Sequence, residues 1–478
     1  MRMVIRALGL IKFITFFGVC CAFLEEPRSK QSPLTRNAHD WLGGENNDEK
    51  YLDKRCQLSQ NKEQSSYLWR ISSQPPSYLF GTLHVAHNYV WPYIDPIVKR
   101  IFTEADALFF ELDLTNINTL TRLSQCQLLP HNQTVTNVLP NHVINRIEDF
   151  IDYSLQNLRQ WSNAQSRERA IYIHQTVTKN WQNKRPMWIL ILLHSLTHGE
   201  FLDTSTPVLD LFMAQEARNV GKPCGAVEDV EDQCDPINQV DNKMAIVALE
   251  ITLDRLTVHQ SRYHYTHSEK VIKREAINPK KSIPRQALPI WQRQDYPTPS
   301  ISHPEDPIQT MISHYNCGTL ELLSSEQPNK LFFLGQRVQV FPKEIEFFTK
   351  GHLSKERAAL VRKFETLTNL ENHLNDELIL KRNQKMSARI REKLHWSAIV
   401  NKSAFFAIGA AHFIGETNSI IHYLRQYGYK ITPISRTDIR KVLKTTDSGD
   451  AELHRTSRLV NCLESIYSFR PSSSNQEF

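Results

Sequence analysis

Tyr78-Leu-Phe-Gly-Thr-Leu-His84 and Ala404-Phe-Phe-Ala-Ile-Gly-Ala-Ala-His412 are the two stretches that decide the fold. Each is a short apolar run delivered directly into Gly-x-x-His. A run that is apolar at successive rather than alternate positions suits a strand buried on both faces. A third such run, Ala107-Leu-Phe-Phe110, ends in Glu111-Leu-Asp113. Helical periodicity fills the intervals over Ile97–Ala105, His142–Leu158, Val208–Val220 and Leu370–Lys393. Strands separated by helices predict an α/β fold, with α+β as the alternative: a central, mostly parallel sheet flanked by helices. The long helical middle then becomes a large insertion.

In an open α/β sheet the ligand lies beyond the carboxyl ends of the strands. Glycine there permits an unusual backbone angle or a close approach, and a histidine three residues on can turn into the cleft. Two imidazoles, His84 and His412, with the Glu111 carboxylate suit Mn²⁺, Co²⁺, Zn²⁺ or Fe²⁺ with positions left for water. The competing reading is that each histidine closes its strand by a hydrogen bond to backbone. A single Gly-x-x-His arises by chance too often to choose between them.

Outside these stretches the chain changes character. Met1–Ala22 has Arg2 and Arg6, an apolar run broken by Lys12, and the close Gly18-Val-Cys-Cys-Ala22, which predicts a secretory signal peptide. The 478 residues hold 57 basic and 51 acidic side chains, a net +6. Removal of Met1–Ala22 takes three cations and no acid, leaving 54 against 51. So slight an excess, with no basic stripe interleaved with aromatics, argues against a nucleic-acid partner. Six cysteines would remain: Cys56, Cys126, Cys224, Cys234, Cys317 and Cys462. An even number in an exported chain favours disulfides, and the lack of Cys-x-x-Cys argues against a zinc ribbon. Sequons at Asn132 and Asn401 are compatible with glycosylation. Later apolar runs, Met187–Leu193 and Ala404–Ala411, fall far short of the roughly 18 residues of a membrane span.

Residues 23–65 are polar and read as a flexible lead-in, and residues 441–478 as a polar tail. Residues 270–310 carry seven prolines, from Pro279 to Pro307, and read as a disordered insert. One large domain over 66–440 is expected between the loose ends.

Ordered motifs along that domain resemble the Tiki metalloproteases of the wider TraB-like superfamily. They are Tyr67-Leu-Trp-Arg-Ile71, Pro75–His84, Phe109–Thr115, Ser124-Gln-Cys-Gln-Leu-Leu-Pro130, Lys184-Arg-Pro-Met-Trp188 and Pro207–Ala217. Further along come Gly225–Cys234, His314-Tyr-Asn-Cys-Gly318, Lys381-Arg-Asn383 and Phe405–Phe413. The resemblance implies a metal-dependent protease of the secretory pathway or cell surface that cleaves the amino-terminal region of Wnt proteins and so restrains Wnt signalling. It implies Mn²⁺ or Co²⁺ rather than Zn²⁺, and His-Glu-x-x-His is absent here. It places the metal on His84, Glu111 and His412. It adds Glu111 or Glu228 as general base, Arg382 for the developing oxyanion, and Asn383. Cys56, Cys126, Cys234 and Cys317 fit the family pattern, while Cys224 and Cys462 are extra and free to pair together. Tiki proteins carry a carboxyl-terminal membrane anchor, which is not visible after the leader here, so a secreted form is the alternative expectation.

Other residues read more simply. Asp210 suits a charge at a helix amino terminus. His87 reads as surface, His194 and His198 as unrelated to metal despite their helical spacing, and His259, His264 and His267 as solvated. Two alternatives to the protease reading are a non-catalytic secreted Wnt-binding protein and a TraB-like metal-dependent hydrolase of another substrate.

Overall fold

The computed structural model describes residues 65–159, 164–197, 206–257 apart from Arg255, 307–320 and 355–435. Among these residues six strands form one sheet: β1 Ser65–Ile71, β2 Ser77–Thr82, β3 Ala107–Phe110, β4 Cys224–Ala226, β5 Ala404–Gly409 and β6 Ile431–Ser435. Their spatial order is β4-β3-β5-β2-β1-β6. The first four in that order are mutually parallel, and β1 pairs antiparallel with both β2 and β6. The sheet is therefore mostly parallel with an antiparallel flank, as an α/β reading requires.

The three strands expected from sequence form its centre, β3-β5-β2, and are buried throughout. Successive side chains alternate between faces. Phe80, Leu108, Phe110 and Phe405 pack on one face with Val98, Phe102, Leu209 and Met213 from the helices Pro96–Glu104 and Leu209–Asn219. Leu79, Phe109, Phe406 and Ile408 pack on the other with Met386, Ile390 and Leu394 of helix Arg382–Val400 and Leu424 of helix Ile420–Gln426. A third core lies away from the sheet. It gathers Val143, Ile147, Ile189, Leu193 and Leu249 from the helices between β3 and β4 and from helix 242–254. This is the helical insertion.

Local chemistry sets the ends of these elements. Helix Pro96–Glu104 starts on Asp95, whose Oδ1 accepts from Ile97 N–H at 3.1 Å, with Pro96 in the first turn. At its far end Lys222 donates to the carbonyls of Phe102 (3.3 Å) and Ala105 (2.6 Å), a cation at the negative helix end. Pro433 lies in β6, an edge strand, where a missing N–H costs nothing.

Residues 1–22, the lead-in up to residue 64 and the tail lie outside the described residues, as do His198, His259, His264, His267, Cys56 and Cys462, while Ser65 already belongs to β1. Residues 270–306 of the proline-rich stretch lie outside them too, but Pro307–Asn316 is helical, so the stretch ends earlier than its composition suggests. Cys126 and Cys234 form a disulfide. Cys317 is also disulfide-bonded, whereas Cys224 has a free thiol. Asn132 and Asn401 are both exposed at left-handed turn positions, φ 66° and 50°. No helix among the described residues is long and apolar enough to cross a membrane.

Candidate metal centre

Parallel register brings the three strand ends level. Gly81 of β2 lies beside Ile408 of β5, and Phe110 of β3 beside Ala407. Glu111, His84 and His412 thus leave the carboxyl edge of three adjacent strands on the same side of the sheet. His84, Glu111 and His412 are only 6%, 3% and 4% exposed. Nε2 of His84 and Nε2 of His412 each stand 3.7 Å from the same atom, Glu111 Oε1. That is too long for a hydrogen bond, yet it aims two ring nitrogens at one carboxylate oxygen.

The glycines of the two motifs are explained by proximity. A Cβ on Gly409 would lie 2.9 Å from Glu111 Oε1 and 3.1 Å from His84 Nε2. A Cβ on Gly81 would lie 3.1 Å from the Ala410 backbone and 3.2 Å from Tyr67. Gly409 has φ −51° and ψ 130°, open to any residue. Close approach, not an unusual backbone angle, is what each motif requires.

The far side of each imidazole is also held. Nδ1 of His84 donates to Asp210 Oδ2 at 2.6 Å, and Thr82 Oγ1 donates to Asp210 Oδ1 at 2.6 Å. Nδ1 of His412 donates to Asn383 Oδ1 at 2.6 Å; that amide is oriented by Nδ2 donating to the Asn418 carbonyl at 2.7 Å. An acceptor at Nδ1 holds a proton there and leaves Nε2 as the ring atom that faces Glu111. Asp210 does lie in the first turn of its helix, but its carboxylate is buried and spent on His84 and Thr82. The helix-end position read from sequence holds, and the contacts to His84 and Thr82 are added to it.

Glu111 is fixed by two donors. Oε1 accepts from Gly409 N–H at 2.7 Å and Oε2 from Arg382 Nη2 at 3.0 Å. Arg382 is 1% exposed rather than a helix-surface ion pair. It grips Glu228 bidentately, Nε to Oε1 at 2.7 Å and Nη2 to Oε2 at 2.6 Å, and gives Nη1 to the Leu378 carbonyl at 3.1 Å. Glu228 also accepts from Gln233 Nε2 at 2.9 Å. Arg382 follows a π-helical stretch, Asp376–Lys381, which leads into helix Arg382–Val400. The guanidinium is a clamp between two carboxylates in this arrangement, with its bonds directed to them instead of to an open oxyanion position.

Electrostatics follow from these contacts. Burial would lower the His84 pKa, but the charge and hydrogen bond of Asp210, with help from Glu111, outweigh it and raise the group to about 10, so a cation bound at Nε2 would displace a proton from it. Burial would raise Glu111, but His412, His84 and Arg382 hold it well below the usual carboxylate range. Glu228 is pushed up, chiefly by burial.

Among the described residues no three His, Cys, Asp or Glu side chains stand at preformed metal-site spacing. The donor chemistry nonetheless fits a divalent cation. Two Nε2 atoms and a carboxylate oxygen converge, and three carboxylates, Glu111, Glu228 and Asp210, are buried within this set, Arg382 bonding the first two and His84 the third. Asn383 was named from sequence without a stated task; it orients His412. Nothing in the local pattern joins Asp210 to His84, 126 positions away, or brings in Thr82. His87 is half-buried rather than surface, with Nδ1 3.0 Å from the Pro207 carbonyl and its ring stacked on Phe212. His194 is buried in helix Pro186–Thr197, away from the centre. A cavity of about 120 Å³ lined by Leu129, Pro130, Met187 and Ile237 shares no residue with the centre.

The TraB/PrgY/gumN family model matches residues 67–275 and 286–433. The chain is similar to Metalloprotease TIKI1 of Xenopus tropicalis, 32% identical over 390 residues, covering 80% of this chain and 65% of that protein. It is 33% identical over 376 residues to Metalloprotease TIKI2 of Danio rerio, covering 77% and 61%. It is 31% identical over 385 residues to Metalloprotease TIKI1 of Homo sapiens, covering 79% and 63%. The chain therefore spans just under two thirds of the length of these curated relatives. No solved structure matches it.

Proposed function

The chain belongs to the TraB/PrgY/gumN family, and on that premise we propose that it is a metal-dependent protease of the secretory pathway that cleaves the amino-terminal region of Wnt proteins. In this reading it restrains Wnt signalling from the cell surface or as a secreted enzyme. The observation that carries the proposal is the convergence of His84 Nε2 and His412 Nε2 on Glu111 Oε1 at 3.7 Å each.

A divalent cation, Mn²⁺ or Co²⁺ in this reading and Zn²⁺ less so, would be held by these three groups and supply Lewis acidity toward water and the scissile carbonyl. Asp210 and Asn383 keep each imidazole in the ligating tautomer. Glu111 Oε1 faces both imidazoles, so it would serve either as third ligand or, with water in that position, as the acceptor of that water's proton. Glu228 has both oxygens engaged by Arg382 and Gln233, and its part is to hold the guanidinium that keeps Glu111 in place and ionised. Burial of the set strengthens each of these interactions relative to water. The names of the relatives support proteolysis, and the Cys126–Cys234 disulfide and the exposed sequon asparagines support an oxidising, glycosylating compartment. Wnt as substrate and the choice of metal rest on the family resemblance.

The test is metal stoichiometry. The purified chain should retain one Mn²⁺ or Co²⁺ by elemental analysis after gel filtration, and His84→Ala and His412→Ala should each lose it. Full occupancy in either variant contradicts the proposed ligand set.

A further inference from the structure

The two histidines are held differently, and the difference is a charge. Behind His84 stands a carboxylate, Asp210, 6% exposed and braced by Thr82 Oγ1 from the end of β2. Behind His412 stands a neutral amide, Asn383, fully buried and braced by the Asn418 carbonyl. The hydrogen-bond lengths are the same, 2.6 Å, so geometry on the two sides is matched while charge is not. Asp210 is 7% exposed at its side chain, and among the described residues its partners are His84 and Thr82, with no Lys or Arg paired with it. Its negative charge is therefore directed through the imidazole toward the place where a cation would sit. A carboxylate behind a ligating imidazole raises the basicity of the other ring nitrogen, and an amide orients the ring without doing so.

We infer that Asp210 is a positioning residue of this centre: it fixes His84 in the Nδ1–H tautomer and supplies the buried charge that makes His84 the stronger of the two imidazole ligands. The inference rests on the metal-centre reading above. Its content is that one side of the centre sets affinity through charge and the other, Asn383, only sets orientation.

Charge exchange separates this from a merely structural role. Mn²⁺ binding is measured by titration calorimetry on the full chain, with circular dichroism to check folding. Asp210→Asn keeps the shape and an acceptor oxygen, and it should weaken Mn²⁺ binding by about 10–100-fold. Asn383→Asp should tighten it, and the double variant carrying both changes should return to within a few-fold of wild type. Unchanged affinity in Asp210→Asn overturns the inference, and so does a double variant no tighter than Asp210→Asn alone. Should Asp210→Asn not fold, Asn383→Asp decides the matter by itself: no gain in affinity overturns the inference. If the wild type binds no Mn²⁺, the metal-centre reading fails and this inference with it. If the wild type binds and the variants do not differ, only the inference fails.

Discussion

Gly409 is the residue at which the close packing of the centre can be tested without touching a ligand. Its backbone angles suit alanine, so the fold would tolerate the change, and the first atom a Cβ meets, Glu111 Oε1 at 2.9 Å, is the far end of a side chain. Gly409→Ala is expected to fold with stability within about 1–2 kcal/mol of wild type while losing most of its affinity for Mn²⁺. Affinity equal to wild type would show that Glu111 Oε1 does not stand where the metal is held. The histidines and Glu111 were legible in the sequence because each follows an apolar strand within three residues, a local signal. Asp210 was not, because a charge in a first helical turn already has a sufficient local explanation. Its task appears only when the helix Leu209–Asn219 packs against the strand ends. Arg382 was legible as a residue of interest, but whether it lay on a helix surface or inside could not be read from its neighbours. Only burial against Glu111 and Glu228 decides that.

Elements with continuous apolar runs were the ones sequence could place. β2, β3 and β5 and the helices Pro96–Glu104, Asn141–Arg159 and Leu209–Asn219 were expected over nearly the ranges they occupy, whereas the expected helix Leu370–Lys393 runs longer at both ends and is interrupted by the π-helical stretch Asp376–Lys381. β4 was missed because three residues, Cys224-Gly-Ala226, carry no periodicity. β1 and β6 form the antiparallel flank, and their mixed polar and apolar residues are stabilised by pairing with each other, an interaction across the whole domain. The disulfide is an element-scale device of the same kind. It joins helix Ile117–Cys126 to helix Val230–Asn238 across 108 positions, and the second helix carries Gln233, which steadies Glu228. Closing so long a loop is expected to contribute about 2–5 kcal/mol. The double variant Cys126→Ser with Cys234→Ser should unfold in denaturant at a correspondingly lower midpoint, and coincident midpoints would show that the helices hold without it.

At the scale of the molecule, sheet and helical insertion have separate cores, and stability can depend on pH through either. In the insertion, His174 is 1% exposed and its Nε2 lies 2.7 Å from Ser154 Oγ. Burial lowers its pKa to about 4. The unfolded chain binds this proton near pH 6.5, and the folded chain only near 4. The stability that a neutral His174 confers is thus complete above about pH 6.5 and falls as pH drops through 6.5 toward 4. Denaturant unfolding from pH 7 to 4 should show wild type losing an increment that His174→Gln does not; parallel curves would contradict it. The central claim of the account joins the strand-end histidines to cleavage, and the most direct measurement is mass spectrometry of a Wnt amino-terminal segment after incubation with the purified chain and Mn²⁺, with and without a chelator. The account predicts a shortened segment with Mn²⁺, an intact one with chelator, and an intact one with His84→Ala. Cleavage that persists through chelation or in His84→Ala, or a segment left whole by the Mn²⁺-loaded wild type, would contradict it.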